Sequence, residues 1–401
     1  MVSLADIRAA SERIAGHIIR TPVVYSPTLS AMTGAHVWFK LETLQKAGSF
    51  KVRGAANKIL AAGDAVKGSG VVAASAGNHA QGVVVAAHAA GVPAVIVMPE
   101  WAGISKQEAT RGYGARVILH GKTLEESIGL AENLAAEGRL FIHPFDDELV
   151  IAGQGTIGLE ILADLPDTDL IIVPVGGGGL IAGIAAAVKT LRPQTAIVGV
   201  QAAACPSAEE SLLKQQPIRI SAGRTIADGI RVAETGELTF PLIQQFVDRI
   251  VVTSEDEIAD AMLLLMERKH VVAEGAGAAP LAALMNGSID IRPGSTVVLV
   301  ISGGNVDSAM LFKIIRQSMA RQGRIMRFSV LLEDQPGTLA SLLAIIASRR
   351  GNILHIHHTQ GEGDVPVQMA RVHLELETRG RDHIQAIKKA VTEAGYEIRM
   401  G

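Results

Sequence analysis

The sequence predicts an α/β fold built on parallel sheets, followed by a smaller βαββαβ module. Three observations carry that expectation. Apolar runs of strand length recur along the chain: "GVVAA", "VPAVIVMP", "ARVILHG", "LIIVPV", "TAIVGVQ", "DRIVVT" and "STVVLVI". Each is followed by a glycine or polar break and then a helical pattern, and strands that are apolar throughout are buried on both faces, as in a parallel sheet covered by helices. Near Arg321 to Arg327 the texture changes: "ARQGRIMR" is basic, is interrupted by glycine and reads as a linker.

The elements follow in order. Ser3 with Asp6, Thr123 with Glu126 and Ser254 with Glu257 have the spacing of capping boxes and mark helix starts. The helix bodies, such as "HAQGVVVAAHAAG" after "SAGN", are alanine-rich and low in charge, which suits packing on a sheet. Leu170 to Val188 carries no charge, but Pro174 and four consecutive glycines interrupt it, so it reads as strand, turn and buried helix rather than a membrane span. After the linker come "RFSVLLE", "DQPGTLASLLAIIASRRG", "NILHIHHTQ", "VPVQMARVHLELET", "RDHIQAIKKAVTEAG" and "YEIRM": strand, helix, strand, strand, helix, strand, the order of a ferredoxin-like module.

Composition narrows the functional classes. With 401 residues, 48% hydrophobic and 19% charged, the chain can bury a large core and fills two or three domains. A net charge of −3 with no basic stripe, and only 3% aromatic residues, argue against nucleic acid as partner. The single cysteine, Cys205, excludes an internal disulfide and a thiolate metal cluster. The charged opening "MVSLADIRAASERI" does not read as a signal peptide, which points to the cytoplasm.

Four stretches could carry chemistry. In "KAGSFKVRGAANKIL", Ser49 is a plausible N-cap, which puts Lys51 in the first helical turn, where the helix dipole disfavours an ammonium. A neutral amine is what a Schiff-base lysine needs. On position alone, a solvated lysine beside Arg53 on a polar helix face is the commoner occurrence. "SAGNHAQG", Ser75 to Gly82, follows a strand and opens a helix, so its backbone N–H groups suit an anion. His79 alone is more often a packed or surface histidine than a catalytic base. "GGGGL", Gly176 to Leu180, lets the backbone wrap round a phosphate, and a plain turn rarely needs four glycines in a row. Gly177, Gly179 and Ala182 also fit a dinucleotide spacing, but the next strand ends in Gln201, not the acid that a ribose needs. "SGGN", Ser302 to Asn305, ends a strand at the edge where ligands of open α/β sheets sit.

In this order the four motifs resemble the pyridoxal-phosphate enzymes of fold type II, and most closely the threonine dehydratases (threonine ammonia-lyases). The module with "DQPGTL" and "RGNI" resembles an ACT domain, an amino-acid-sensing unit attached to many of them. The resemblance implies a two-lobed catalytic domain over residues 1–320, with a small lobe at roughly 45–150, and an ACT regulatory domain over 327–401. It implies that Lys51 holds the cofactor and then acts as general base. Phe50 packs near the cofactor, Asn78 bonds its phenolic oxygen, Gly176, Gly177, Gly178, Gly179 and Leu180 hold its phosphate, and Ser302 meets its ring nitrogen. Ser75, Ala76, Gly77, Asn78 and His79 receive the substrate carboxylate. Gln154, Gly229 and Glu274 are weaker candidates near the cofactor, and Pro336, Gly337 and Asn352 are candidates for an effector site.

The implied reaction deaminates L-threonine to 2-oxobutanoate and ammonia, and L-serine to pyruvate. The implied regulator is a branched-chain amino acid, isoleucine first, acting on a homodimer or homotetramer. Some relatives carry a divalent metal on acidic residues just after the strand that reads "IVGVQ" here. Gln201, Ala204, Cys205 and Ser207 stand in that region, so no metal is expected. A serine racemase or 3-hydroxyaspartate dehydratase is the alternative within the fold. In similar serine racemases a serine precedes the Gly-Asn of the carboxylate loop and returns a proton to the opposite face, and here that residue is Ala76. A non-catalytic amino-acid sensor is the alternative from another class, and the intact Lys51 and Ser302 argue against it.

Overall fold

The computed structural model describes residues 1–360 and 365–400. It divides into Met1–Val306 and Asp307–Gly401. The first unit contains two sheets. The larger has six strands in the order Val23–Tyr25, His36–Leu41, Thr296–Ile301, Leu170–Pro174, Ala196–Ala202 and Arg249–Thr253. All neighbours are parallel except the first pair. The smaller sheet, fully parallel, runs Arg116–Leu119, Ala94–Met98, Val71–Ala74 and Leu140–Phe141. Leu170–Pro174 and Val71–Ala74 are buried at every residue. That matches strands with no polar face, covered by helices on both sides.

Close helix contacts set the distances around the future site. The helix Glu148–Asp164 packs against both Lys51–Ala62 and Gly179–Leu191. A Cβ on Gly153 would stand 2.6 Å from the Gly54 Cα, so these two backbones approach in a way that only glycine permits. Helix starts at Ser3 and Ser254 are reciprocal capping boxes. Thr123 caps in one direction only: its oxygen accepts from Glu126 N, but Glu126 Oε2 accepts from Lys122 N instead of the cap residue.

The second unit contains a helix, Ser308–Arg321, and then a ferredoxin-like βαββαβ fold of the kind expected for an ACT-like domain. Its elements are Ile325–Glu333, Thr338–Ser348, Asn352–Gln360, Met369–Glu377, Arg381–Glu393 and Ile398–Met400. The strands form one antiparallel sheet in the order Asn352–Gln360, Met369–Glu377, Ile325–Glu333, Ile398–Met400. The division after Val306 falls earlier than the basic stretch suggested. "ARQGRIMR" is not a free linker: it finishes one helix, turns at Gly323 (φ 71°) with Arg324 N donating to Met319 O, and enters a strand at Ile325. Arg316 of the helix reaches Glu375 of the sheet at 2.6 Å. Among the described residues, no helix is long and apolar enough to cross a membrane.

Candidate active site

The carboxyl ends of the first unit's strands bring the motifs together. Ser49 forms a backbone bridge with Gly303, and Phe50 N donates to the Ser302 carbonyl at 3.0 Å. This fixes "SFK" against "SGGN". Lys51 is the first residue of the helix Lys51–Ala62, but Ser49 is not its cap. Phe50 occupies the cap position with no side-chain bond, and the Ser49 hydroxyl is buried without a partner. The bridge to Gly303 takes Ser49 out of capping geometry. The expectation of an open polar face also fails, because Arg53 is fully buried.

The Lys51 amine donates to the Pro144 carbonyl at 2.7 Å and lies 5.2 Å from the centre of the Phe50 ring. Desolvation lowers its pKa to about 8, against the smaller opposing pull of Glu274. Glu274 is buried, and burial, with Asp228 adding to it, raises its carboxyl to about 8. Asn78 Nδ2 donates to Glu274 Oε1 at 2.6 Å, while Asn78 Oδ1 accepts from Asn305 Nδ2 at 2.8 Å. These two bonds fix which end of the Asn78 amide is which. Gly303 carries no Cβ because one would stand 2.6 Å from Glu274 Oε1.

Two helix starts in this unit carry runs of backbone donors with no described acceptor. The helix Gly179–Leu191 begins at Gly178, whose φ of 100° favours glycine. Gly177 through Leu180 are buried, and none of the N–H groups from Gly176 to Leu180 donates to a described residue. Buried amides are rarely left unpaired, so the loop fits an anion such as a phosphate. At the other helix start, Asn78–Ala89, Gly77 N is taken by Ser75 Oγ at 3.1 Å, whereas the N–H groups of Ala76, Asn78 and His79 have no described acceptor. That second cradle suits a carboxylate.

Other expected residues separate into groups. His79 is packed: its Nε2 meets the Ile142 carbonyl at 2.8 Å, and burial with nearby Lys51 lowers its pKa to about 3, so the ring is neutral. Ser302 is buried just after Thr296–Ile301, and its carbonyl accepts from the N–H of Phe50, the residue before Lys51. Gln154 braces the lysine helix, accepting from Gly54 N at 3.2 Å. Gly229 lies against Glu274 and Ala276. In the second unit, Gly337 caps Thr338–Ser348 with φ 97°, Pro336 is exposed, and Asn352 donates to Glu377 at 3.1 Å.

Sequence reasoning missed several groups. Asn305 stands out in the sequence only as part of "SGGN", yet its amide also reaches the Ala47 carbonyl and Gln81. Phe145 fills the space beside Gly177 and Gly179. Beneath the lysine helix, Arg53 binds Glu42 through two nitrogens at 2.8 Å and Glu160 at 2.7 and 2.9 Å, and Lys40 binds Glu160 at 2.5 Å. Burial opposes the Arg53 charge, but Glu42 and Glu160 outweigh it and raise its pKa. Gln201 spends its side chain internally, on Val175 O and on the N–H groups of Ala208 and Glu209.

A desolvated primary amine and two helix starts with unpaired backbone donors, at the carboxyl edge of a largely parallel sheet, suit a carbonyl cofactor bearing a phosphate and a substrate bearing a carboxylate. The family profile described as "Pyridoxal-phosphate dependent enzyme" matches residues 14–303. The chain belongs to that family. It is 45% identical over 401 residues, all of both chains, to a protein of Thermotoga maritima named L-threonine ammonia-lyase. It is 48% identical over 323 residues to a catabolic L-threonine dehydratase of Staphylococcus aureus, covering 80% of this chain and 93% of that one. Among solved structures, a threonine deaminase of T.th. superposes with a TM-score of 0.72 at 44% identity, covering 76% of this chain and 99% of the other. Maize serine racemase gives 0.75 at 36% identity, covering 80% and 99%.

Proposed function

We propose that this chain deaminates L-threonine to 2-oxobutanoate and ammonia, and L-serine to pyruvate, using pyridoxal phosphate. The observation that carries the reading is the buried Lys51 amine on the Pro144 carbonyl, in the same unit as two helix starts whose backbone N–H donors have no described acceptor. Relatives named for L-threonine, matched from end to end, support the choice of substrate. Ala76 favours elimination over racemisation, because a methyl group cannot return a proton from the opposite face.

When bound, the cofactor supplies the electron sink that makes the substrate α-proton acidic. The loop Gly176–Leu180 would hold its phosphate, and Ser302 would offer its ring nitrogen a neutral hydroxyl. The N–H groups of Ala76, Asn78 and His79 hold the substrate carboxylate and fix the α-carbon. Lys51, neutral in a useful fraction near pH 8, takes the α-proton. In the cofactor-free chain the Pro144 carbonyl accepts from the Lys51 amine and so fixes where it waits for the cofactor. Neutral His79 shapes the carboxylate loop and is not a base. The β-hydroxyl leaves as water, taking up the equivalent of the proton removed from the α-carbon, and the released enamine then takes up one water to give the 2-oxo acid and ammonia.

The ACT unit is the proposed regulatory element, with isoleucine as the first candidate effector and Pro336, Gly337 and Asn352 as the candidate contacts. Its outer strand Asn352–Gln360 is exposed along most of its length, which supports side-by-side pairing of two units and a homo-oligomer. The direct test of the reaction is 2-oxobutanoate formation from L-threonine by the cofactor-loaded protein, abolished in Lys51→Ala with the fold retained. Near-unchanged turnover by the folded variant contradicts the reading.

A further inference from the structure

The segment His143–Asp147 leads from the last strand of the smaller sheet into the helix Glu148–Asp164. Three consecutive residues in it, Pro144, Phe145 and Asp146, each make a different contact. The Pro144 carbonyl takes the Lys51 amine, and Phe145 packs on Gly177 and Gly179. Asp146 reaches the start of the helix Thr239–Phe246: Oδ2 accepts from Glu237 N at 3.0 Å, and Oδ1 accepts from Leu238 N at 2.9 Å and Thr239 N at 3.1 Å. Asp146 thus caps, from more than ninety residues away, a helix that has no side-chain cap of its own.

That capped helix start is bonded to the glycine loop. Thr239 is fully buried, and its hydroxyl donates to the Gly177 carbonyl at 2.7 Å. Gly236 N also donates to the Gly177 carbonyl, at 3.2 Å. Across a trans peptide, the carbonyl of one residue and the N–H of the next point in opposite directions. Holding the Gly177 carbonyl on the Thr239 side therefore turns the Gly178 N–H away from Thr239, into the group of unpaired donors. A flipped Gly177–Gly178 peptide would put a carbonyl oxygen there and repel an anion.

We propose that Asp146 and Thr239 are positioning residues that lock the Gly177–Gly178 peptide with its N–H facing the cofactor phosphate. Neither residue touches the cofactor. Asp146 orders the helix start, Thr239 holds the carbonyl, and the lock couples the smaller sheet's exit loop to phosphate recognition. It rests on the glycine loop being the phosphate site.

The experiment compares dissociation constants of pyridoxal phosphate and of pyridoxal, which lacks the phosphate, for the full-length apo-protein. Thr239→Val removes the hydroxyl at constant shape. It weakens pyridoxal phosphate on the order of tenfold, the scale of one hydrogen bond to a charged-ligand cradle, and leaves pyridoxal unchanged. Thr239→Ser restores the preference, and the phosphorus NMR line of the bound cofactor moves in Thr239→Val and returns in Thr239→Ser. Asp146→Asn shows a selective loss in the same direction and carries the test if Thr239→Val does not fold by circular dichroism. Equal loss of both ligands, or no loss of either, overturns the lock while leaving the phosphate site intact. A wild-type protein with no preference for the phosphorylated ligand overturns the phosphate site and the lock together.

Discussion

Removing the Arg53 side chain should unfold the lysine helix's foundation before it disturbs any reacting group. Arg53 and Lys40 carry two positive charges, and Glu42 and Glu160 carry two negative ones; Arg53, Lys40 and Glu42 are fully buried, and the Glu160 side chain is 13% exposed. Arg53→Met leaves one negative charge in excess in a network that is almost wholly buried. It also breaks four contacts of 2.7–2.9 Å to the two carboxylates. Breaking a buried ion network from one side costs about 3–5 kcal/mol, or roughly a 100- to 5,000-fold change in the folding equilibrium. Arg53→Lys recovers only part, since one ammonium cannot span Glu42 and Glu160 as the planar fork does. Adding Glu42→Gln to Arg53→Met restores charge balance, and the double variant is more stable than Arg53→Met alone by about 1 kcal/mol or more. The assay is urea unfolding of the apo-protein followed by tryptophan emission, in which Trp38, two residues from Lys40, reports on the lobe concerned. A loss below about 1 kcal/mol for Arg53→Met, or no recovery on adding Glu42→Gln, refutes the reasoning.

Cofactor capture by the apo-protein should accelerate as pH rises through about 8, because only the neutral Lys51 amine attacks a carbonyl; stopped-flow absorbance gives the midpoint, and one near the ordinary 10.5 contradicts the desolvation argument. Glu274→Gln should move that midpoint down, since the nearby carboxyl favours the ammonium; an upward move contradicts it. Ala76→Ser should add D-serine formation from L-serine, read with pyruvate by chiral chromatography, while wild-type D-serine at a rate comparable to pyruvate counts against the dehydratase assignment. Deleting the chain from Arg327 onward should keep turnover and abolish any response to isoleucine; if isoleucine, valine and other amino acids neither bind the full-length protein nor alter its kinetics, the sensing role fails.

The residues that sequence made visible are those whose chemistry depends on local pattern. Continuous apolar runs marked seven of the first unit's ten strands, most plainly Leu170–Pro174 and Val71–Ala74, which are buried on both faces and have no polar period to confuse; Val23–Tyr25, His36–Leu41 and Leu140–Phe141 carried no such run. Gly176–Gly179 stood out because four glycines are costly unless the backbone itself must bind something. What stayed hidden depends on side chains meeting across long separations. Arg53, Glu42 and Glu160 look like ordinary surface charges until three elements bury them together. Asp146 looks like part of an acidic helix start, and only the fold brings the amides at 237–239 onto it. Ser49 had the right residue type for a cap, but a tertiary pairing with Gly303 overrode the local preference. The basic stretch before Arg327 misled for a similar reason: charge and glycine there serve a helix end and a tight turn rather than a free connection.

The central claim is that Lys51 is the residue that joins the cofactor and drives deamination of L-threonine. The protein loaded with pyridoxal phosphate is reduced with borohydride, digested and mapped by mass spectrometry, with 2-oxobutanoate formation followed in parallel. The account predicts a single pyridoxyl adduct on Lys51 and loss of turnover in step with its formation. An adduct on Lys46 or Lys58 instead, or threonine turnover that survives complete modification of Lys51, would contradict it.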